Sequence, residues 1–213
     1  MLDQAAAAMT EGALLKFGAF AAVVVWLWFK PADDQAAVRK ALVVAVAAGL
    51  AAMFVARMLA LNLPFRERPF ARADLGLHFY ARYVGGLRTW SAFPSDHAVL
   101  AFALITGIWR VSKRVGVAVL IYGLFAICLP RIYVGLHYPT DIAGGAIIGV
   151  TAFWLFDRSR VGKGISEFAL TQEGRRPQAF YVVWFLVLME LSIMFEDFRS
   201  YARAMFALLM RAA

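Results

Sequence analysis

The segment ALVVAVAAGLAAMFVARMLALNL, residues 41–63, carries a single charged side chain, Arg57. An α-helix needs about 20 largely apolar residues to cross the hydrocarbon core of a bilayer. This run therefore predicts a transmembrane helix, and comparable apolar runs occur elsewhere in the chain, at 12–29, 95–111, 115–134, 139–156 and 178–195. The sequence as a whole predicts an all-α integral membrane bundle of six transmembrane helices.

The composition supports this class of protein. Of the 213 residues, 62% are hydrophobic and only 17% are charged, and the mean hydropathy is +0.69, which is too apolar for an ordinary soluble domain. With no internal repeat or linker, we expect one domain over residues 1–213. The first run lacks a preceding basic cluster, so we expect it to stay in the mature chain. The single cysteine, Cys128, lies in an apolar run and is interpreted as a packing residue.

The net charge of +8 is explained better by membrane topology and an anionic substrate than by nucleic acid, because the basic residues lie between apolar runs. Six spans divide the connections into two sets. The set formed by the loops at 30–40, 112–114 and 157–177 is slightly richer in Lys and Arg. The positive-inside rule places that set in the cytoplasm, and both termini and the segments 64–94 and 130–138 outside.

Polar residues with catalytic potential gather on the predicted outer face. They come from three stretches of sequence: FRERPF (65–70), PSDH (94–97) and PRIYVGLHYPTD (130–141). Their side chains are two imidazoles, three guanidiniums, a hydroxyl and a carboxylate: His97, His137, Arg66, Arg68, Arg131, Ser95 and Asp141. Guanidiniums are permanently charged and their donor geometry suits phosphate oxygens. The cluster therefore predicts a phosphate-bearing ligand.

The spacing of these residues suggests a separate role for each of them. Ser95 stands at or near a helix N-cap, and a helix N-terminus favours an anion. Pro139 is suited to the first position of the fifth helix. Asp141 then lies four residues after His137 and can reach its ring, leaving the other ring nitrogen as a nucleophile. His97 would protonate the leaving oxygen. This arrangement needs no metal and no cofactor.

The three stretches together resemble the type 2 phosphatidic acid phosphatase superfamily, whose pattern is K-x6-R-P, P-S-G-H and S-R-x5-H-x3-D. They appear here as LNLPFRERP (61–69), PSDH (94–97) and PRIYVGLHYPTD (130–141). The resemblance implies that His137 attacks phosphorus to form a phosphohistidine while Asp141 holds it and His97 protonates the leaving group. It also implies a set of phosphate-binding residues: Arg68, Arg131 and Ser95.

The sequence departs from this pattern at three positions: Leu61 replaces the lysine, Asp96 the glycine and Pro130 the serine. The backbone amide of Asp96 can still donate to phosphate. Arg66 is the favoured substitute for the missing lysine, and Arg57, one helical turn before Leu61, is a less favoured one. The combined motifs look most like the undecaprenyl-diphosphatase branch, which implies a site at the outer face of a bacterial inner membrane.

The expected function is hydrolysis of a lipid phosphate or diphosphate, with undecaprenyl diphosphate as the best guess. Two alternatives stay open: a lipid phosphotransferase that uses the same site, and a transporter that only binds phosphate. The expected partners are the lipid substrate and membrane lipids, without nucleic acid; the sequence does not determine the oligomeric state.

Several residues outside the motifs are given structural interpretations. Arg72, Arg82 and Arg88 are expected to contact headgroups, and Arg66 fits headgroup or phosphate equally well. His78 is read as interfacial, and Glu190, inside the sixth run, as a packing or pairing residue. The tail at 196–213 is expected to be a surface anchor.

Overall fold

The computed structural model describes residues 6, 8–10, 12–76 and 87–194. Within these ranges the protein is helical, without β-strands. Seven helices of ten residues or more are found in the described ranges: α1 (Leu14–Phe29), α2 (Gln35–Asn62), α3 (Asp96–Val111), α4 (Lys113–Tyr133), α5 (Pro139–Arg158), α6 (Arg160–Arg175) and α7 (Pro177–Ser192). The described residues between α2 and α3 include the short 3₁₀ turns Pro69–Ala71 and Ala73–Leu75.

The predicted all-α class is confirmed, and each of the six apolar runs coincides with a helix. Among the described residues, three helices are long and apolar enough to cross a membrane: α2, α4 and α5. Helices α1 and α7 are apolar but shorter, and α3 has only 16 residues. The number of six spans and the single domain over residues 1–213 therefore stay predictions.

The prediction of a loop over residues 157–177 is wrong, because this connection contains α6. Ser159 caps the helix by accepting a hydrogen bond at its Oγ from the Gly162 amide at 2.9 Å. Helix α2 likewise begins before the apolar run, with Asp34 accepting from the Ala37 amide at 2.9 Å. Hydropathy alone misses both features because these helical turns are polar.

The core lies where α2, α3 and α5 pack together, with α1 and α7 against one side. Its largest fully buried side chains are Trp28, Phe17, Phe20, Phe153, Leu42, Leu100, Leu104 and Ile108. Cys128 is a free thiol with 2% exposure, which confirms its interpretation as a packing residue.

Helices α3 and α5 approach each other closely through two glycines of α5. A Cβ atom on Gly145 would lie 2.7 Å from the Ser95 carbonyl oxygen, and one on Gly149 would lie 2.3 Å from the Val99 carbonyl oxygen. Both distances are shorter than a carbon–oxygen contact allows. The glycines thus let the first turns of α3 and α5 lie side by side, and these turns carry Ser95 and Asp141.

Candidate active site

Three loops at one end of the bundle are joined by main-chain hydrogen bonds. The Phe70 amide donates to the Gly135 carbonyl at 3.0 Å, and the Ala92 amide donates to the Arg66 carbonyl at 2.9 Å. The Ser95 amide donates to the Asp141 carbonyl at 3.2 Å. The three motif stretches therefore form one structural unit, as expected if they build a common site.

His137 lies at the centre of this unit with 5% exposure. Its Nδ1 is 2.8 Å from the Ala92 carbonyl oxygen. A carbonyl can only accept, so Nδ1 must carry the proton and Nε2 keeps its lone pair. Nε2 lies 3.5 Å from Nη1 of Arg68. The histidine therefore presents an unprotonated nitrogen beside a guanidinium, which is the arrangement a nucleophile for phosphorus requires.

The contacts of Asp141 differ from the prediction. Its Oδ2 is 3.7 Å from Nδ1 of His137, too long for a hydrogen bond. Oδ2 instead accepts from the Tyr138 amide at 2.8 Å, which caps α5, and Oδ1 accepts from Nη1 of Arg66 at 2.7 Å. The expected direct hydrogen bond to His137 is thus replaced by the Ala92 carbonyl, because both carboxylate oxygens have nearer donors. Helix α5 does begin at Pro139, as predicted.

Burial sets the protonation of His137. Desolvation lowers its pKa to about 4, with the Asp141 carboxylate opposing the shift and the charges of Arg68 and Arg131 adding to it. Desolvation also lowers the pKa of Arg68, against the charges of Asp96 and Asp141. His137 is therefore neutral at physiological pH and available for attack.

This protonation state can be tested by NMR. In phosphate-free detergent solution at pH 5.5, we expect about 3% of His137 to be protonated, against about 90% for a histidine with an ordinary pKa. Because folding lowers the pKa of His137, the unfolded chain takes up this proton first, and the free energy of unfolding decreases as the pH falls from about 6.5 towards 4. ¹⁵N-histidine spectra are simple because the chain has 3 histidines, and His137→Asn assigns the signal. A His137 signal that titrates near pH 6.5 would contradict the assignment.

Arg68 and Arg131 are both buried, with exposures of 8% and 4%, but their hydrogen bonding differs. Arg68 donates to three carbonyl oxygens: those of Leu136 at 3.0 Å, Trp90 at 3.2 Å and Ser91 at 3.4 Å. Arg131 donates from Nη2 to the Thr10 carbonyl at 3.4 Å, and its buried Nε has no hydrogen-bond partner among the described residues. Arg68 therefore also supports the loops, whereas Arg131 keeps a buried donor without a partner among the described residues.

Ser95 occupies the N-cap of α3, as predicted, but its side chain makes no capping bond. The residue is fully buried, and within the described ranges its Oγ has no partner. Asp96 is the first residue of α3 and His97 the second; the ring centroid of His97 is 5.9 Å from that of Phe17. A buried unpaired hydroxyl at a helix N-terminus is a combination that suits an anionic ligand.

The candidates for the missing motif lysine occupy different environments. Leu61 is 67% exposed. Arg66 is committed to Asp141 and also lies over the Tyr138 ring, with its Cζ 4.3 Å from the centroid. Arg57 lies over the Trp90 ring, with its Cζ 3.5 Å from the centroid, and its charge lowers the pKa of Arg68. Arg57 is thus part of the site electrostatics, which the sequence had suggested only as the less favoured option.

An open cleft of about 530 Å³ adjoins this unit. Its wall includes Tyr138, the residue after His137, and the side chains of the loop that carries Arg68: Phe65, Arg66, Glu67, Arg72 and Leu75. The cleft mixes apolar and charged groups.

Of the remaining predicted residues, the structure describes Arg72, Arg88 and Glu190. Arg72 forms a two-point ion pair with Asp74, and Arg88 is exposed. Glu190 keeps one buried oxygen, Oε2, without a partner in the described ranges. His78, Arg82 and the tail at 196–213 lie outside the described residues.

Within the described residues, no group of three or more His, Cys, Asp or Glu side chains is arranged to hold a metal ion.

A neutral histidine, buried arginines and a helix N-terminus form an arrangement that suits a protein acting on a phosphate group. Comparison with known families agrees with this class. Residues 62–163 match the PAP2 superfamily, so a little under half of the 213 residues is similar to this superfamily. All three motif stretches, except Leu61 at the edge, fall inside the matched residues.

Several curated proteins are similar to the chain. The undecaprenyl-diphosphatase BcrC of Bacillus subtilis is 27% identical over 158 residues, covering 74% of this chain and 75% of that protein. The putative undecaprenyl-diphosphatase YbjG of Escherichia coli is 30% identical over 135 residues, or 61% of this chain and 59% of that protein.

The third relative, the bacitracin transport permease protein BcrC of Bacillus licheniformis, is 40% identical over 68 residues, or 30% of this chain and 33% of that protein. The chain thus spans a third of the length of this relative and less than two thirds of the Escherichia coli one. No solved structure matches the chain.

Proposed function

We propose that the protein is a PAP2-family membrane phosphatase that hydrolyses a lipid phosphate or diphosphate at the outer face of a bacterial inner membrane. Undecaprenyl diphosphate is the proposed substrate, giving undecaprenyl phosphate and phosphate. The observation that carries the proposal is the hydrogen bond from Nδ1 of His137 to the Ala92 carbonyl, at 2.8 Å. It leaves Nε2 unprotonated beside Arg68.

The proposed reaction has two steps. Arg68, Arg131, the Ser95 hydroxyl and the amide of Asp96 hold the terminal phosphate, and Nε2 of His137 forms a bond to phosphorus as the bond to the leaving oxygen breaks. His97 gives its proton to that oxygen. Water then attacks the phosphohistidine, His97 takes a proton from it, and phosphate leaves. Positioning and neutralisation of charge supply most of the acceleration in such transfers.

Asp141 is proposed to act through structure rather than by proton transfer. It caps the helix that follows His137 and binds Arg66, so it fixes the turn that carries the nucleophile. Arg66 in turn holds Asp141 and lines the cleft, and it is proposed to contact the part of the substrate beyond the attacked phosphate.

Arg57 is proposed to supply the positive charge that Leu61 does not. Arg57→Met should lower kcat/KM about tenfold, corresponding to ~1.4 kcal/mol of transition-state stabilisation, while Arg57→Lys should retain part of the activity. Adding Leu61→Lys to Arg57→Met should restore activity, because the cation then comes from one helical turn further on. Unchanged kinetics in Arg57→Met would reject this role, and Arg88→Met serves as the control for loss of an exposed arginine.

The function is tested by measuring phosphate released from undecaprenyl diphosphate by the purified protein in detergent, with a chelator present. Lipid monophosphates of equal chain length determine the substrate preference. We expect release to continue under chelation. If no lipid phosphate is turned over, or if release requires an added divalent cation, the proposal is rejected.

The same assay separates the alternatives. A phosphotransferase would pass ³²P from a labelled substrate to an added sugar or lipid acceptor in preference to water. A transporter that only binds phosphate would explain the buried arginines, but it has no use for a histidine with a fixed tautomer. It would also release no phosphate in detergent.

A further inference from the structure

Helix α6, Arg160–Arg175, lies at the opposite end of the bundle from the active site. Its Glu173 accepts a hydrogen bond from Arg39 at 2.7 Å, and its Glu167 lies 3.8 Å from Lys40. Arg39 and Lys40 belong to the first turns of α2, whereas Arg57 and the Arg68 loop mark the other end of that helix. Helix α6 therefore closes the end of the bundle that the proposed topology places in the cytoplasm.

The surface of α6 is divided into three faces. One face packs inward and includes the buried residues Gly162 and Ser166 and the core-packed residues Ala169 and Leu170. A second face is apolar yet exposed: Val161 is 62%, Ile165 39% and Phe168 65% exposed.

The third face is polar and exposed, with Arg160, Lys163, Glu167, Thr171 and Gly174. At 3.6 residues per turn, the centres of the three faces are separated by roughly 120°. A helix that packs on one side and is apolar on the second and polar on the third suits a boundary between hydrocarbon and water.

The charged side chains of α6 and its flanking residues indicate what this helix binds. Within residues 158–176, exposed basic residues outnumber exposed acidic ones: Arg158, Arg160, Lys163, Arg175 and Arg176 stand against Glu167. The other glutamate of the helix, Glu173, is already engaged by Arg39 and by the Tyr181 hydroxyl at 2.7 Å. Basic side chains beside an exposed apolar stripe match anionic lipid headgroups above acyl chains.

We propose that α6 is an interfacial helix that inserts Val161, Ile165 and Phe168 into the bilayer and binds anionic phospholipid headgroups through the surrounding arginines and lysines. The partner is the membrane surface itself. This assignment uses none of the residues of the candidate active site, so it holds or fails independently of the proposed reaction.

The insertion is tested with nitroxide labels on the full chain in a Cys128→Ala background, reconstituted into lipid vesicles. Phe168→Cys places the label on the apolar face, and Gly174→Cys places it about 120° away, where an added Cβ meets no atom within 4 Å. We expect the ratio of oxygen to nickel-chelate accessibility to be several-fold higher at position 168. Equal, water-like ratios at both positions would overturn the proposal, and so would dipolar broadening at position 168 from a second copy of the chain.

The lipid preference is tested in vesicles of phosphatidylcholine with and without phosphatidylglycerol. Adding the anionic lipid should move the label at position 168 deeper. Joint replacement of Arg160, Lys163, Arg175 and Arg176 by Gln should remove this response, because each basic residue near an anionic surface changes partitioning by roughly fivefold. A label depth that ignores lipid charge, or a response that survives the four replacements, would refute binding to anionic headgroups.

Discussion

Replacing His137 with Asn should lower phosphate release by at least roughly 10^4-fold, the scale of loss when an enzyme loses its covalent nucleophile. Asn can place its amide nitrogen near the position of Nδ1 and so keep a donor for the Ala92 carbonyl, but it has no equivalent of Nε2. The variant should therefore fold and bind substrate without turning it over. The measurement is phosphate release from a lipid diphosphate, with thermal unfolding to check the fold.

Trapping the phosphohistidine intermediate tests whether His137 itself is the nucleophile. After rapid mixing of native protein with ³²P-labelled substrate, we expect acid-labile, alkali-stable label on the chain, as a phosphohistidine would give. His137→Asn should show none. Label of the same stability on the variant would move the nucleophile to another residue, and substantial turnover without label would exclude covalent catalysis at this position.

Replacing Arg131 with Met should reduce activity without reducing the stability of the fold. The guanidinium is buried, with Nε unpartnered among the described residues, and replacing a buried charge by an apolar group of similar size is often neutral or stabilising. We expect kcat/KM to fall roughly 10^2- to 10^3-fold, as when one donor to a developing anionic oxygen is removed. The melting temperature should stay the same or rise.

Arg68→Met is the matched comparison. Arg68 holds three main-chain carbonyls, so its loss should destabilise the fold by about 2–5 kcal/mol through buried acceptors left without donors, in addition to reducing activity. Both variants are measured by lipid phosphate turnover and by thermal unfolding in the same detergent. An Arg131→Met protein that is active, or as unstable as Arg68→Met, would remove Arg131 from the proposed phosphate site.

Local features of this chain were predictable from its sequence because they depend on neighbouring residues. The helices follow from apolar runs, the start of α5 from Pro139, and the N-cap position from Ser95. Motif spacing also identified the three stretches that the structure joins into one unit. Hydropathy does not indicate the polar helix α6, and the sequence signal for its start is Ser159, a residue type that is common at helix N-caps.

The contacts that required the folded chain are those between residues distant in sequence. Asp141 and Arg66 are 75 residues apart. The sequence near either residue does not show that Arg66 donates a hydrogen bond to Oδ1 of Asp141. The acceptor for His137, a main-chain carbonyl 45 residues away, has no side-chain signature at all. The position of Arg57 over Trp90 joins α2 to a residue shortly before α3, and apolar periodicity does not determine such a contact.

The use of a carbonyl to orient His137 has an evolutionary consequence. Every amino acid that could replace Ala92 carries the same oxygen on its backbone, so a codon change at that site cannot by itself delete the acceptor. An orienting carboxylate, by contrast, can be lost through a single nucleotide substitution. The alignment of the nucleophile is therefore protected against point mutation wherever the local chain path is retained.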